Sequence, residues 1–139
     1  MKIGIGLNSG PCCVGNMGSR QRLSYSLIGD TVNMTARLEG LTKQYGAPII
    51  LGSELAAHLR GFALLELDRV RVVGREAPET IFALLGESET PGHASLAAAH
   101  GEMLAAYRSC RWDEAERLLD EAQHAYGAAG LSPLAALFR

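Results

Sequence analysis

Gly29-Asp30-Thr31-Val32-Asn33-Met34-Thr35-Ala36-Arg37-Leu38-Glu39 joins a turn to the start of a helix and carries two polar side chains one helical turn apart. Asp30 follows a glycine and precedes a long helical pattern, so it reads as the N-cap. Met34, Leu38, Leu41 and Tyr45 recur at helical spacing and make one apolar stripe. Thr35, Glu39 and Lys43 fall on the far side, where Glu39 and Lys43 form a pair suited to solvent. Asn33 and Arg37 sit at the edge of the stripe. An amide and a guanidinium there can reach one phosphate or sugar at the rim of a cleft. The plainer alternative is a first-turn polar residue beside an arginine whose stem packs on the surface.

Upstream, Ile3-Gly4-Ile5-Gly6-Leu7-Asn8 reads as a strand, and the stretch from Gly10 to Gly18 as a wide turn joining strands. A P-loop needs Gly-Lys-Ser/Thr, but Gly15 is followed by Asn16 and Met17. The Gly4-Ile5-Gly6 element lies inside an apolar alternation and does not open a helix, so it is no dinucleotide fingerprint. The wide turn's backbone amides could still approach a triphosphate in a complete site.

Downstream, patterning predicts a strand over 23–28, a helix over 30–45, a short strand over 48–51, and a helix over 53–59 capped by Ser53. A long or broken strand over 62–73 and a closing strand over 80–85 follow. Pro91 and Gly92 mark residues 87–95 as a linker. Residues 96–139 are alanine-rich and helical, with Trp112, Ala115, Leu119 and Ala122 at helical spacing. That pattern resembles one tetratricopeptide hairpin, although such arrays need several copies to bury a core. A helical hairpin packed on the sheet or on a second subunit is the simpler reading. The order β-β-α-β-α-β-β indicates an α+β fold, with helices on a mainly antiparallel sheet.

A net charge of −2 gives no basic field for nucleic acid. No apolar run reaches the length of a membrane span, and no signal peptide precedes Ile3. A cytoplasmic setting is expected, in a parent protein that other segments can still anchor to a membrane. Cys12, Cys13 and Cys110 show no Cys-x-x-Cys spacing and do not cluster with His58, His93, His100 or His124, which speaks against zinc. Cys12 and Cys13 are expected to pack as small apolar residues at a strand end.

The stretch around Asn33 and Arg37 resembles the signature of the class III adenylate/guanylate cyclase catalytic domain, Gly-Asp-x-Val-Asn-x-x-x-Arg-Leu-Glu. The strand from Ile3 and the turn Gly15-Asn16-Met17-Gly18 resemble what precedes it in that family, and the resemblance runs to about Leu85. It implies a ferredoxin-like fold, present here as the C-terminal portion over residues 1–86, followed by the linker and the helical hairpin. It implies that the ribose 3′-hydroxyl of a nucleoside triphosphate attacks its own α-phosphate and that pyrophosphate leaves. By similarity, Asn33 would orient the ribose and Arg37 would stabilise the transition-state phosphate. Ser26 falls at the base-reading position, where a small hydroxyl favours adenine over guanine only weakly. Gly29 and Asp30 would complete the substrate-binding set.

Two departures from the family accompany these matches. The family holds Mg or Mn with two aspartates from the first half of the domain, and this chain starts at a strand that follows both. Asp30, Asp68, Asp113 and Asp120 are its aspartates, and none has that context. No metal ligand is therefore assigned, no cofactor is expected on this piece, and it is expected to be inactive alone. Where many members carry a phosphate-directed lysine, Val73 stands, with Arg71 and Arg75 as neighbours. The expected activity of the complete domain is conversion of ATP to cyclic AMP. The alternative is a non-catalytic signalling module that keeps the family's dimer surface. A piece of a domain leaves apolar strands around 62–67 and 81–85 without obvious cover, which predicts a homodimer or higher oligomer.

Overall fold

The computed structural model describes residues 1–72, 76–88 and 90–139. Its elements are β1 (Ile5–Leu7), β2 (Cys13–Ser19), β3 (Arg22–Ile28), α1 (Asp30–Tyr45), β4 (Ile49–Gly52) and α2 (Ser53–His58). Then come β5 (Phe62–Val70), β6 (Glu79–Glu87), α3 (His93–Arg108), α4 (Trp112–Ala128) and α5 (Ser132–Leu137). A four-stranded sheet runs in the order β1-β4-β6-β5. β1 pairs with β4 in parallel, and the other two pairings are antiparallel. The α+β class and its antiparallel bias therefore hold.

The apolar stripe of α1 behaves as its spacing predicts: Met34, Leu38, Leu41 and Tyr45 are all buried. On the other side Glu39 and Lys43 are exposed, as expected, while Thr35 is half-buried and the backbone at Thr35 and Glu39 is in close contact with the sheet. A Cβ at Gly6 of β1 would sit 2.6 Å from the Thr35 carbonyl and 2.5 Å from the Glu39 amide. Gly6 is thus required by close helix–strand contact rather than by any nucleotide loop. The helix start also shifts by one residue. Gly29, with φ 149°, is the N-cap, and Asp30 is the first helical residue with no side-chain capping bond. A carboxylate there still favours the positive end of the helix. Ser53 likewise does not cap α2; Gly52 does, and the Ser53 hydroxyl donates to Glu79 Oε1 at 2.5 Å.

The expected wide turn is mostly a strand. Residues of β2 pair with β3 from Cys13↔Ile28 to Ser19↔Arg22, closing through Arg20 and Gln21. This ribbon is a separate two-stranded sheet, and its large apolar side chains face solvent. Val14, Leu23, Leu27 and Ile28 are each more than half exposed, and Tyr25 is 77% exposed. Cys12 and Cys13 are exposed as well, contrary to their expected packing.

The tail supplies the cover that the strands lacked on paper. One apolar cluster joins Leu38, Ile50, Leu65, Leu67, Ile81 and Ala83 to Leu96, Met103, Leu104, Leu119, Tyr126 and Leu134. The hairpin of α3 and α4 is followed by α5, whose Pro133 seats against Gly46, the left-handed C-cap of α1. Ala115, Leu119 and Ala122 are buried as their spacing predicts, but Trp112 is 56% exposed and meets Tyr107 edge-on at 5.3 Å. The first turn of α3 lies within the segment expected to be linker, starting after Gly92.

Polar contacts bind the tail to the outer strand β5. His93 Nε2 lies 2.8 Å from the Leu64 carbonyl, and Arg108 pairs with Glu66 at 2.7 Å. His100 is 1% exposed, and its Nδ1 shares a hydrogen bond with the Tyr126 hydroxyl at 2.6 Å. Burial pushes Tyr126 up to about 12, so it keeps its proton. Among the described residues, His100 Nε2 is buried with no hydrogen-bond partner. Burial pushes His100 down to about 4, outweighing the Leu67 and Glu66 backbone, which favours the charged ring.

A pH dependence follows. The folded value lies below the unfolded value of about 6.5, so between them the unfolded chain binds the extra proton. This contribution is complete above about pH 6.5 and is lost as the pH falls toward 4, by up to about 3 kcal/mol. Thermal melts between about pH 7.5 and about pH 4.5 should show this slope, and the His100→Gln chain should show a shallower one. A second substitution probes α1. Gly40 is helical with nothing within 4 Å of an added Cβ, so Gly40→Ala should stabilise by about 0.5–1 kcal/mol in denaturant titrations.

Candidate functional site

The buried and sheet-facing sides of α1 leave one side outward, and Asn33 and Arg37 lie on it, both exposed. Their spacing places them one turn apart on that side. The helix beneath them is fixed at several points. The Asn33 amide donates to the Gly29 carbonyl at 3.1 Å. Tyr45 donates to Asp68 Oδ2 at 2.9 Å and ties the far end of α1 to β5. Burial, reinforced by that carboxylate, raises the Tyr45 phenol well above its ordinary range, so the bond keeps its proton. The pair therefore stands on a rigid support.

Ser26 is half-buried in β3, opposite Gly15 of β2. Gly29 joins β3 to α1, and Asp30 is exposed at the first turn. The five residues thus follow one continuous path from the ribbon into the helix. A groove of about 710 Å³ beside this path is lined by Gly6, Asn8, Leu27, Thr31, Thr35 and Glu39, among others. Asn33, Arg37 and Ser26 are not among its lining residues. In this chain they form an outward surface, and a closed cleft over them requires another surface.

A polar pocket of about 210 Å³ at the head of α1 was not foreseen. It is lined by Asn8, Ser9, Asp30, Thr31, Glu54 and Glu79. The one local sign was the glycine after β4, since a Cβ on Gly52 would fall 2.3 Å from Asn8 Oδ1. Among the described residues, no three His, Cys, Asp or Glu side chains are grouped to hold a metal ion. The donors present do not fit Mg or Mn. Arg71 is exposed after β5, while Val73 and Arg75 lie outside the described residues. Among the described residues, no helix is long and apolar enough to cross a membrane.

Comparison with known proteins extends this picture. The chain is 35% identical over 86 residues to an adenylate cyclase of Anabaena cylindrica, covering 59% of this chain and 17% of the relative. It is 32% identical over 83 residues to adenylate cyclase 1 of Rhizobium meliloti, covering 59% of this chain and 12% of that protein. The chain therefore spans less than a fifth of either relative. The crystal structure of the adenylyl cyclase CyaB from P. aeruginosa superposes with a TM-score of 0.51 at 26% identity, over 60% of this chain and 42% of that one. The guanylyl cyclase Cya2 superposes with a TM-score of 0.50 at 30% identity, over 62% and 43%. The profile of the adenylate and guanylate cyclase catalytic domain covers residues 1–86, the sheet, the ribbon and the helix bearing Asn33 and Arg37. This chain belongs to that catalytic-domain family.

Proposed function

We propose that this chain supplies the transition-state side of a nucleotide cyclase site that converts ATP to cyclic AMP and pyrophosphate. The observation that carries this reading is the exposed Asn33/Arg37 pair on a helix whose apolar face is buried in the core. In the reaction the ribose 3′-oxygen forms a bond to the α-phosphorus, and the bond to pyrophosphate breaks. Negative charge grows on the phosphoryl oxygens and the leaving group, so fixed donors lower the barrier. Arg37 stays charged and offers several donors to that charge. Asn33 holds the ribose, Ser26 meets the base, and Gly29 and Asp30 shape the bend beneath them. Mg or Mn, supplied with the aspartates of another segment, would add charge neutralisation.

The ribbon of β2 and β3 supports the pairing that closes the cleft. An isolated two-stranded ribbon is marginal in water, and this one leaves Val14, Leu23, Tyr25, Leu27 and Ile28 exposed. A second cyclase domain, as in a homodimer, is the occupant of choice. The same exposed ribbon favours the second reading, a non-catalytic signalling module that uses only this surface. The two readings separate in one experiment. Joined to the upstream half of a cyclase domain that keeps its metal-binding aspartates, the chain should form cyclic AMP from ATP and Mg or Mn. A folded, dimeric fusion that binds ATP without forming cyclic AMP would favour the module.

A further inference from the structure

Cys12 and Cys13 are adjacent, and both are exposed. Cys13 forms the outermost rung of the ribbon, opposite Ile28. One residue further out, Cys12 faces Gly29: a Cβ built on that glycine would lie 3.5 Å from Cys12 Cα and 3.7 Å from Cys12 Cβ. Gly29 is the N-cap of α1. The two thiols therefore sit on the joint through which the ribbon passes the chain to the helix of Asn33 and Arg37.

We infer that Cys12 and Cys13 form a modification site, a vicinal dithiol that hydroperoxides oxidise reversibly to an intrachain disulfide. The Cys12 thiolate attacks the peroxide oxygen, the O–O bond breaks, and the departing hydroxide takes a proton to become water. The resulting sulfenic acid is attacked by the Cys13 thiolate. The S–S bond forms, the S–O bond breaks, and a second water leaves. Peroxide is reduced by two electrons and the dithiol is oxidised by two. A reducing thiol reverses the step by exchange.

Geometry makes this bond labile and gives it a consequence. Neighbouring Cα atoms lie about 3.8 Å apart, closer than in ordinary disulfides. Closure therefore requires the backbone to turn, and a strained bond of this kind is easily reduced. The backbone that can yield is the last rung of a two-stranded ribbon, next to Gly29 with φ 149° and close to Gly10 with φ 153°. Turning there separates Cys13 from Ile28 and Cys12 from Gly29. It loosens the Gly29 carbonyl, which accepts the Asn33 amide at 3.1 Å.

The test treats the intact chain with equimolar hydrogen peroxide, alkylates free thiols, and maps the products by mass spectrometry. The segment holding Cys12 and Cys13 should be lighter by two hydrogens and carry no alkyl group. Cys110, exposed and without a neighbouring cysteine, should remain alkylated. Dithiothreitol should restore both thiols. Exchange of the Asn33 backbone amide should be roughly tenfold faster in the oxidised chain, and Cys13→Ser should abolish that change. Alkylation of both cysteines after peroxide, disulfides only between chains, or unchanged exchange in a verified oxidised chain would each overturn the inference.

Discussion

Deleting residues 93–139 should abolish the cooperative thermal unfolding of this chain. The reason is that the tail and the sheet share one apolar cluster rather than owning separate cores. Leu65, Leu67, Ile81 and Ala83 share that cluster with Leu96, Met103, Leu104, Leu119 and Tyr126. Without the helices, a four-stranded sheet keeps only α1 over its apolar face, and the chain should associate or melt without a sharp transition. A milder version can be read as a number. Leu119 is 0% exposed, so Leu119→Ala should cost about 3–5 kcal/mol, a large share of a small domain's stability. Urea titration measures it, and a loss below about 1 kcal/mol would mean the tail is only loosely attached.

Arg37→Ala should lower the turnover of the chain joined to a metal-binding half by a hundredfold or more, with little change in KM. The charge that Arg37 would meet appears only as the α-phosphate is attacked, so its loss falls on kcat. Removing a comparable fixed donor elsewhere costs about 10²–10³ in kcat, or about 3–4 kcal/mol. The exposed position of Arg37 on α1 makes a folding artefact easy to check, because the melting temperature should hardly move. An unchanged kcat would reduce Arg37 to a surface residue.

These contrasts show which parts of the molecule were legible in the chain. Helix α1 was readable over its full length, because Met34, Leu38, Leu41 and Tyr45 report one continuous buried face. The Asn33/Arg37 pair was readable for the same reason, since helical spacing alone puts the two on one side. Strand β2 was not. Cys13-Val14-Gly15-Asn16-Met17-Gly18-Ser19 belongs to a ribbon off the core, so burial imposes no alternation on it, and its two glycines imitate a turn. The tail was readable as a helical hairpin that packs on the sheet or on a second subunit, but not as to which of the two, because helical periodicity reports which side is apolar and not what that side meets. Trp112 misled for a related reason: it keeps the helical period yet meets Tyr107 edge-on at the surface. The outward placement of the proposed site, and the second surface it needs, depend on chain pairing that no local pattern encodes.

The most direct measurement mixes this chain with a cyclase domain that keeps its metal-binding aspartates but has lost its own transition-state arginine. Cyclic AMP is assayed for each component alone and for the mixture, with ATP and Mg or Mn. The account predicts no turnover from this chain alone, turnover from the mixture, and its loss when the added chain carries Arg37→Ala. Turnover by this chain alone, or a mixture indifferent to Arg37, would contradict it.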